Sequence, residues 1–282
     1  MNVADAMTPR EDVVTVELPG TRDDALEYLQ ERAFSSVPVV KREDGEERYR
    51  GLVTREDLIE RPDQDQLAIL MREVPTTTGD TDVVEVARVM VEEGARRVPV
   101  VADGRLEGIV TITDVVRAIA DGDVAGDREV GELARRDVNT TWEGTPLRVA
   151  ERELYHAEVP YAVVLDDAGA MCGIVTAVDV IETAEVVEGE EDAGESFADQ
   201  DDEWMWEGIK AVGNRYLPTR NVEFPDAPVA EHMTTDLVTV TGRRTATEVA
   251  QLMLSHDVEQ IPLVSGDHLA GIVRDVDLLD GL

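Results

Sequence analysis

Short apolar runs recur along the chain in a fixed order, and that order predicts the architecture better than any single segment does. Four runs have the length and β-branched content of buried strands: SSVPVV at 35–40, RRVPVV at 96–101, PYAVVL at 160–165 and EQIPLV at 259–264. Ahead of each lies a stretch with apolar residues at helical spacing. It is clearest at 81–93, where Val83, Val86, Ala87, Met90 and Val91 fall on one face of a helix. After each run comes a second related segment: RGLVTREDL at 50–58, EGIVTITDV at 107–115, CGIVTAVDV at 172–180 and AGIVRDVDL at 270–278. Each unit also opens alike, with DAMTPREDVVTV from Asp5, ILMREVPTTT from Ile69, ELARRDVNTT from Glu132 and EHMTTDLVTV from Glu231.

The chain therefore reads as four repeats, at 3–60, 66–121, 127–184 and 227–282. Each runs strand, helix, strand, strand, helix, which makes the fold class α+β. Units this small bury too little surface to be comfortable alone, so pairing of repeats is expected. The regular spacing fails once, at an insertion over 185–226. Its first part, 185–203, is acidic and Gly/Ser-punctuated, and reads as flexible and solvated. The stretch 204–217 predicts a helix with Met205, Ile209, Val212 and Tyr216 on one face, closed by Pro218. Trp204 and Trp206 open that helix, which docks either on its own repeats or on a partner. Arg215 and Arg220 form a small basic island beside it.

Composition narrows the function. Asp and Glu number 62 against 26 Lys and Arg, a net charge of −36 over 282 residues. Non-specific nucleic-acid binding and polybasic membrane association both need a basic surface, and are excluded on that ground. A surface adapted to molar salt explains the surplus, because at 1 M the Debye length is only about 3 Å and self-repulsion is screened. An acidic face for a basic partner is the competing explanation. Hydrophobic residues at 43% support a real core, and aromatics at 4% make it aliphatic. No apolar window is long enough to span a bilayer, and MNVADAMTPREDV has no secretory features. The single cysteine, Cys172, excludes an internal disulfide, so a cytoplasmic protein is expected.

The candidate chemistry lies in the motif Gly-h-Val-Thr-x-x-Asp, where h is apolar. It occurs as Gly51/Thr54/Asp57, Gly108/Thr111/Asp114 and Gly173/Thr176/Asp179. A strand ends at the threonine and a helix begins there, offering N–H groups to an anion. The threonine hydroxyl can reach a phosphate or sugar oxygen. The aspartate can accept two hydrogen bonds from a vicinal diol, and the glycine permits close backbone approach. The same Thr-x-x-Asp is also a capping box that needs no ligand. In the fourth copy Arg274 replaces the threonine while Asp277 remains. A guanidinium cannot accept the cap bond, so an altered site is expected, with Asp275 as substitute cap or Arg274 supplying charge to a phosphate. No catalyst is expected: His156, His232, His256 and His268 form no metal-ligand pair, and Cys172 reads as a packing residue.

The whole pattern of M-T, V-T-V, helix, h-P-V-V, turn and G-h-V-T-x-x-D resembles the CBS domain, named for cystathionine β-synthase. The resemblance covers all but about 185–226. It implies four CBS repeats paired into two Bateman modules, similar to the gamma subunit of AMP-activated protein kinase, as a monomeric disk or a homodimer. It implies that Thr54, Asp57, Thr111, Asp114, Thr176, Asp179 and Asp277 contact the phosphate or ribose of an adenosyl ligand. Arg97 matches an arginine that reaches phosphate in that gamma subunit. Ser36, Pro160 and Gln260 are the corresponding positions of the other repeats, while Arg55 and Arg274 are further phosphate candidates. The implied function is a regulatory module that binds AMP, ADP or ATP and modulates a partner protein. S-adenosylmethionine is the alternative ligand, and a ligand-free scaffold with the motifs as caps is the alternative function.

Overall fold

The computed structural model of the chain describes residues 1–31, 36–43, 45–54, 57–58, 61, 64–157, 159–183, 185–188, 220–223 and 225–282. Arg55, Arg215 and the helix predicted at 204–217, with Trp204 and Trp206, lie outside them. The described residues form two units. One comprises Met1–Arg136 with Val238–Leu282, the other Asp137–Leu237.

Three repeats build a small sheet of one parallel and one antiparallel pair. In the first, Val16–Leu18 runs parallel to Ser36–Glu43, which pairs antiparallel with Glu46–Thr54. In the third, the strands are Thr140–Trp142, Tyr161–Leu165 and Met171–Thr176. In the fourth they are Val240–Thr241, Gln260–Ser265 and His268–Arg274. The second repeat has the same hairpin, Arg97–Ala102 with Arg105–Thr111, and Thr77 bridges in parallel to Val100. The parallel pairs need a crossover, which the repeat's first helix supplies. Val83–Glu92 is that helix in the second repeat. It starts where Asp82 Oδ1 accepts from the Val84 N–H at 2.8 Å, and it buries Val83, Val86, Ala87 and Met90. Asp103 and Gly104, both at positive φ, turn the hairpin that follows.

The opening segments do not stay with their own repeats. The lead of the second repeat, Leu67–Leu70 and Arg72, docks on the first, where Leu52 and Arg72 exchange backbone hydrogen bonds of 3.0 and 2.9 Å. The lead of the first, Val3–Ala6 and Thr8–Pro9, docks on the second, with Thr8 opposite Ile109. In the same way Arg135 pairs with Ile272 of the fourth repeat, and Thr234 with Ile174 of the third. This exchange explains the motif glycine. A Cβ on Gly108 would sit 2.5 Å from the Thr8 carbonyl oxygen, one on Gly51 2.7 Å from that of Arg72, and one on Gly271 2.6 Å from that of Arg135. The close approach that sequence assigned to a ligand is made by the neighbour's backbone. Gly108→Ala is expected to cost about 1–3 kcal/mol in chemical denaturation through this overlap.

The second and fourth repeats share one core. Val86, Met90, Val115 and Ile119 pack in it with Val249, Met253, Leu278 and Leu279. Gln251 donates to the Ala120 carbonyl at 2.9 Å across it. The first repeat has its own core of Val16, Ala25, Leu29, Val37, Val39 and Val53, closed by Leu67 and Leu70 of the exchanged lead. In the other unit Leu147, Ala150, Leu154, Val164 and Val175 are closed by Val229 in the same manner. The insertion begins and ends as an antiparallel pair, Glu185–Glu188 with Arg220–Glu223, Glu188 standing opposite Arg220. The first four residues of the stretch read as flexible are therefore strand.

Candidate functional site

Each of the three Thr-x-x-Asp motifs forms the capping box. At the first, Asp57 Oδ2 accepts from the Thr54 N–H at 2.8 Å and from its hydroxyl at 2.7 Å, while Thr54 Oγ1 accepts from the Asp57 N–H at 3.2 Å. Thr111/Asp114 repeats this at 2.9, 2.7 and 3.3 Å. Thr176/Asp179 repeats it at 2.7, 2.7 and 3.3 Å. The first N–H of the helix is also taken: Ile112 donates to the Arg96 carbonyl at 3.1 Å, and Ala177 to that of Pro160 at 2.8 Å. So two of the first three N–H groups are committed, and the helix end has less to offer an anion than the sequence suggested. The threonine proton is spent on the aspartate, which leaves the hydroxyl only a lone pair. That geometry suits a sugar hydroxyl rather than a phosphate oxygen.

The aspartates keep one free oxygen edge, Oδ1, and the repeats differ in what meets it. Arg72 donates from Nε to Asp57 Oδ1 at 2.7 Å and from Nη2 to Thr54 Oγ1 at 3.2 Å. Arg117, three residues further along the same helix, donates to Asp114 Oδ1 at 3.2 Å. Among the described residues no arginine reaches Asp179. Asp277 receives three guanidinium bonds, from Arg274 Nη2 at 2.7 Å, Arg274 Nε at 3.0 Å and Arg135 Nε at 3.2 Å. At this fourth motif only half the box exists: Asp277 Oδ2 accepts from the Arg274 N–H at 2.9 Å, and nothing on Arg274 can accept in return. The Asp275 carboxylate accepts from the Val276 N–H at 2.7 Å, one residue short of the Asp277 N–H that corresponds to the one taken by threonine in the other copies.

The family follows from the sequence repeats themselves. The CBS domain matches at residues 3–63, 67–121, 130–185 and 229–282. The chain belongs to the CBS-domain family. The uncharacterized protein MJ1404 of Methanocaldococcus jannaschii is 27% identical over 95% of this chain, which spans only 59% of it. The solved structure of an uncharacterized conserved protein from Pyrococcus horikoshii is similar at a TM-score of 0.70 and 27% identity, covering 100% of this chain and 99% of that one. MJ1225 of M. jannaschii, described as a candidate archaeal homologue of g-AMPK, has the same fold at a TM-score of 0.68 and 19% identity, over 100% of this chain and 99% of that one.

Within the CBS sheets the register locates Arg97. It stands opposite Thr111, as Ser36 stands opposite Thr54 and Gln260 opposite Arg274. In the third repeat the partner of Thr176 is Tyr161, not Pro160 as sequence matching had it. The proline shared by the other three runs is absent there, which displaced the alignment by one residue. Arg97 has no hydrogen bond or ion pair among the described residues. Burial and the neighbouring Arg96 charge pull its pKa down, against a weaker upward pull from Glu259. Arg96 itself crosses to the fourth repeat, pairing with Asp275 at 2.6 Å and Glu259 at 3.1 Å. Sequence reasoning missed Arg72, Arg135 and Arg96, whose positions become meaningful only once the exchange of leads and the shared core are known.

Other groups lie apart from these motifs. Two open surface clefts border Met7, Arg10, Glu47 and Arg105, and Thr141, Trp142, Glu153 and Asp167. Neither is lined by a Thr-x-x-Asp residue. The Cys172 thiol donates to the Val164 carbonyl at 3.5 Å, and burial together with Glu143 and Asp166 raises its pKa, which disfavours the thiolate. Among the described residues no cluster of His, Cys, Asp and Glu is placed to hold a metal ion, and no helix is long and apolar enough to cross a membrane.

Proposed function

We propose that the chain is a regulatory CBS module that binds adenosyl ligands, with an adenine nucleotide (AMP, ADP or ATP) at Thr111 and Asp114 beside Arg97. The observation that carries this is the Arg97 guanidinium, half-buried, directly across the sheet from Thr111, in no salt bridge among the described residues, with the pull of Glu259 too weak to offset burial and Arg96. A phosphate there would pair the charge and offset its desolvation, and arginine suits a phosphate's planar pair of oxygens. Asp114 Oδ1 would take the ribose hydroxyls in place of Arg117, and the spare lone pair of Thr111 would assist. At Asp179 the cross-strand residue is Tyr161, buried and uncharged, which favours an adenosyl ligand without phosphate, such as S-adenosylmethionine. Binding would bias a partner protein through unequal affinity for two states of the module. The acid surplus fits a cytoplasm of high salt, where it stays screened.

Titration calorimetry of the full chain in molar KCl with AMP, ADP, ATP and S-adenosylmethionine tests this reading. Heat is expected for at least one nucleotide, and Asp114→Ala is expected to weaken it at least about tenfold through loss of hydrogen bonds to a charged group. A folded chain that gives no heat with any of the four ligands would support the scaffold instead. So would Asp114→Ala lowering only the melting temperature.

A further inference from the structure

We propose that two of the four CBS sites are latched by arginines carried in on the exchanged leads, so that the chain takes up adenosyl ligands at Asp114 and Asp179 but not at Asp57 and Asp277. This rests on the adenosyl reading above. One position decides the difference. It is the lead residue that pairs with the apolar residue after the motif glycine: Thr8 with Ile109, Arg72 with Leu52, Thr234 with Ile174 and Arg135 with Ile272. All four are in the same register, and two are arginine while two are threonine.

The arginines fill the carboxylate edge that a ribose diol would need. Asp57 is fully buried, with Oδ2 spent on Thr54 and Oδ1 held by Arg72 at 2.7 Å. Arg72 also takes the remaining lone pair of Thr54 Oγ1, at 3.2 Å. Its backbone is anchored by two hydrogen bonds to Leu52, so the guanidinium is held in place by the sheet itself. Arg135 is anchored in the same way, by bonds of 2.8 and 3.0 Å to Ile272, and shares Asp277 with Arg274. A ligand at either site must first displace a guanidinium from a buried carboxylate.

The threonine leads hold no such group. Among the described residues neither Thr8 nor Thr234 bonds to an aspartate of the motif. Arg117 meets Asp114 with a single 3.2 Å contact, as Arg135 meets Asp277, but it comes from the site's own helix rather than from a sheet-anchored lead, and no second guanidinium joins it as Arg274 joins Arg135. Arg117 can swing into solvent without disturbing the sheet. Because the leads are exchanged, whether a site is open is set by a residue of the neighbouring repeat. Each adjacent pair of repeats, one with two and three with four, carries one latched and one open site.

Native mass spectrometry of the full chain, titrated with AMP and with S-adenosylmethionine, reads the count of ligands directly. Two ligands are expected at saturation, three for Arg72→Thr, and three for the double variant Arg135→Thr with Arg274→Thr. Three or four ligands on the unaltered chain, or an unchanged count on folded Arg72→Thr, would overturn the latch. If the unaltered chain binds neither ligand, the adenosyl reading fails, and the latch is judged without ligand. Melting midpoints of Arg72→Thr, Asp57→Asn and the two combined are then compared. The combined variant is expected to lose much less than the sum of the single losses, and additive losses would overturn the latch. The same cycle decides the matter if Arg72→Thr does not fold well enough for titration.

Discussion

Truncating Ile119 to alanine is expected to lower the unfolding free energy by about 2–5 kcal/mol. Ile119 is fully buried on the helix Ile112–Asp121, in the core that the second repeat shares with the fourth. Its removal leaves a cavity between Val115 and Val116 of its own helix and the facing Val249, Met253 and Leu278. Those residues belong to two repeats, so neither can close the gap by relaxing alone. Val149→Ala serves as the comparison, since Val149 is 47% exposed and is expected to change stability by no more than about 0.5 kcal/mol. Chemical denaturation followed by circular dichroism reads both. Equal effects of the two substitutions would contradict a shared core.

Arg97→Gln is expected to act in opposite directions on binding and on stability. The folded protein holds the Arg97 guanidinium where burial and Arg96 both disfavour its charge. Glutamine, which already occupies the equivalent position as Gln260, removes that charge at little cost in shape. The ligand-free variant is therefore expected to melt at a higher temperature than the unaltered chain. Its affinity for AMP is expected to fall at least about tenfold, the scale of a lost charge-assisted hydrogen bond. Adenosine, which has no phosphate, should bind both forms alike. Calorimetry with the two ligands and a thermal melt of the free protein together separate this role from that of a surface arginine, for which all three readings would be unchanged.

Periodicity made most of the fold legible. The helix at Val83–Glu92 carries its buried face at Val83, Val86, Ala87 and Met90, where helical spacing put it, and the four hairpins lie on the four apolar runs. These features are local, so the chain states them directly. The exchange of leads was not legible, because each opening segment looks equally suited to its own sheet. The backbone pairings of the leads, and the close contacts of Gly51, Gly108 and Gly271 with foreign carbonyls, reveal it. The same holds for the candidate site. Threonine and aspartate were found by spacing, and the half-box at Arg274 followed from guanidinium chemistry. The residues that occupy the carboxylates, Arg72 and Arg135, are distant in sequence and carried no signal of their own beyond replacing threonine after Met71 and Ala134. Pro160 was matched to Arg97 in place of Tyr161 because the third run has Val163 where the other three have the proline on which the alignment leaned.

A crystal structure of the full chain grown with saturating AMP in molar KCl bears most directly on the nucleotide site. Density is expected at the end of the Arg105–Thr111 strand, with the ribose hydroxyls on Asp114 Oδ1 and a phosphate oxygen about 3 Å from the Arg97 guanidinium. An Asp114 carboxylate still held only by Thr111 and Arg117, with AMP absent or lodged in the cleft beside Trp142 and Asp167, would contradict it.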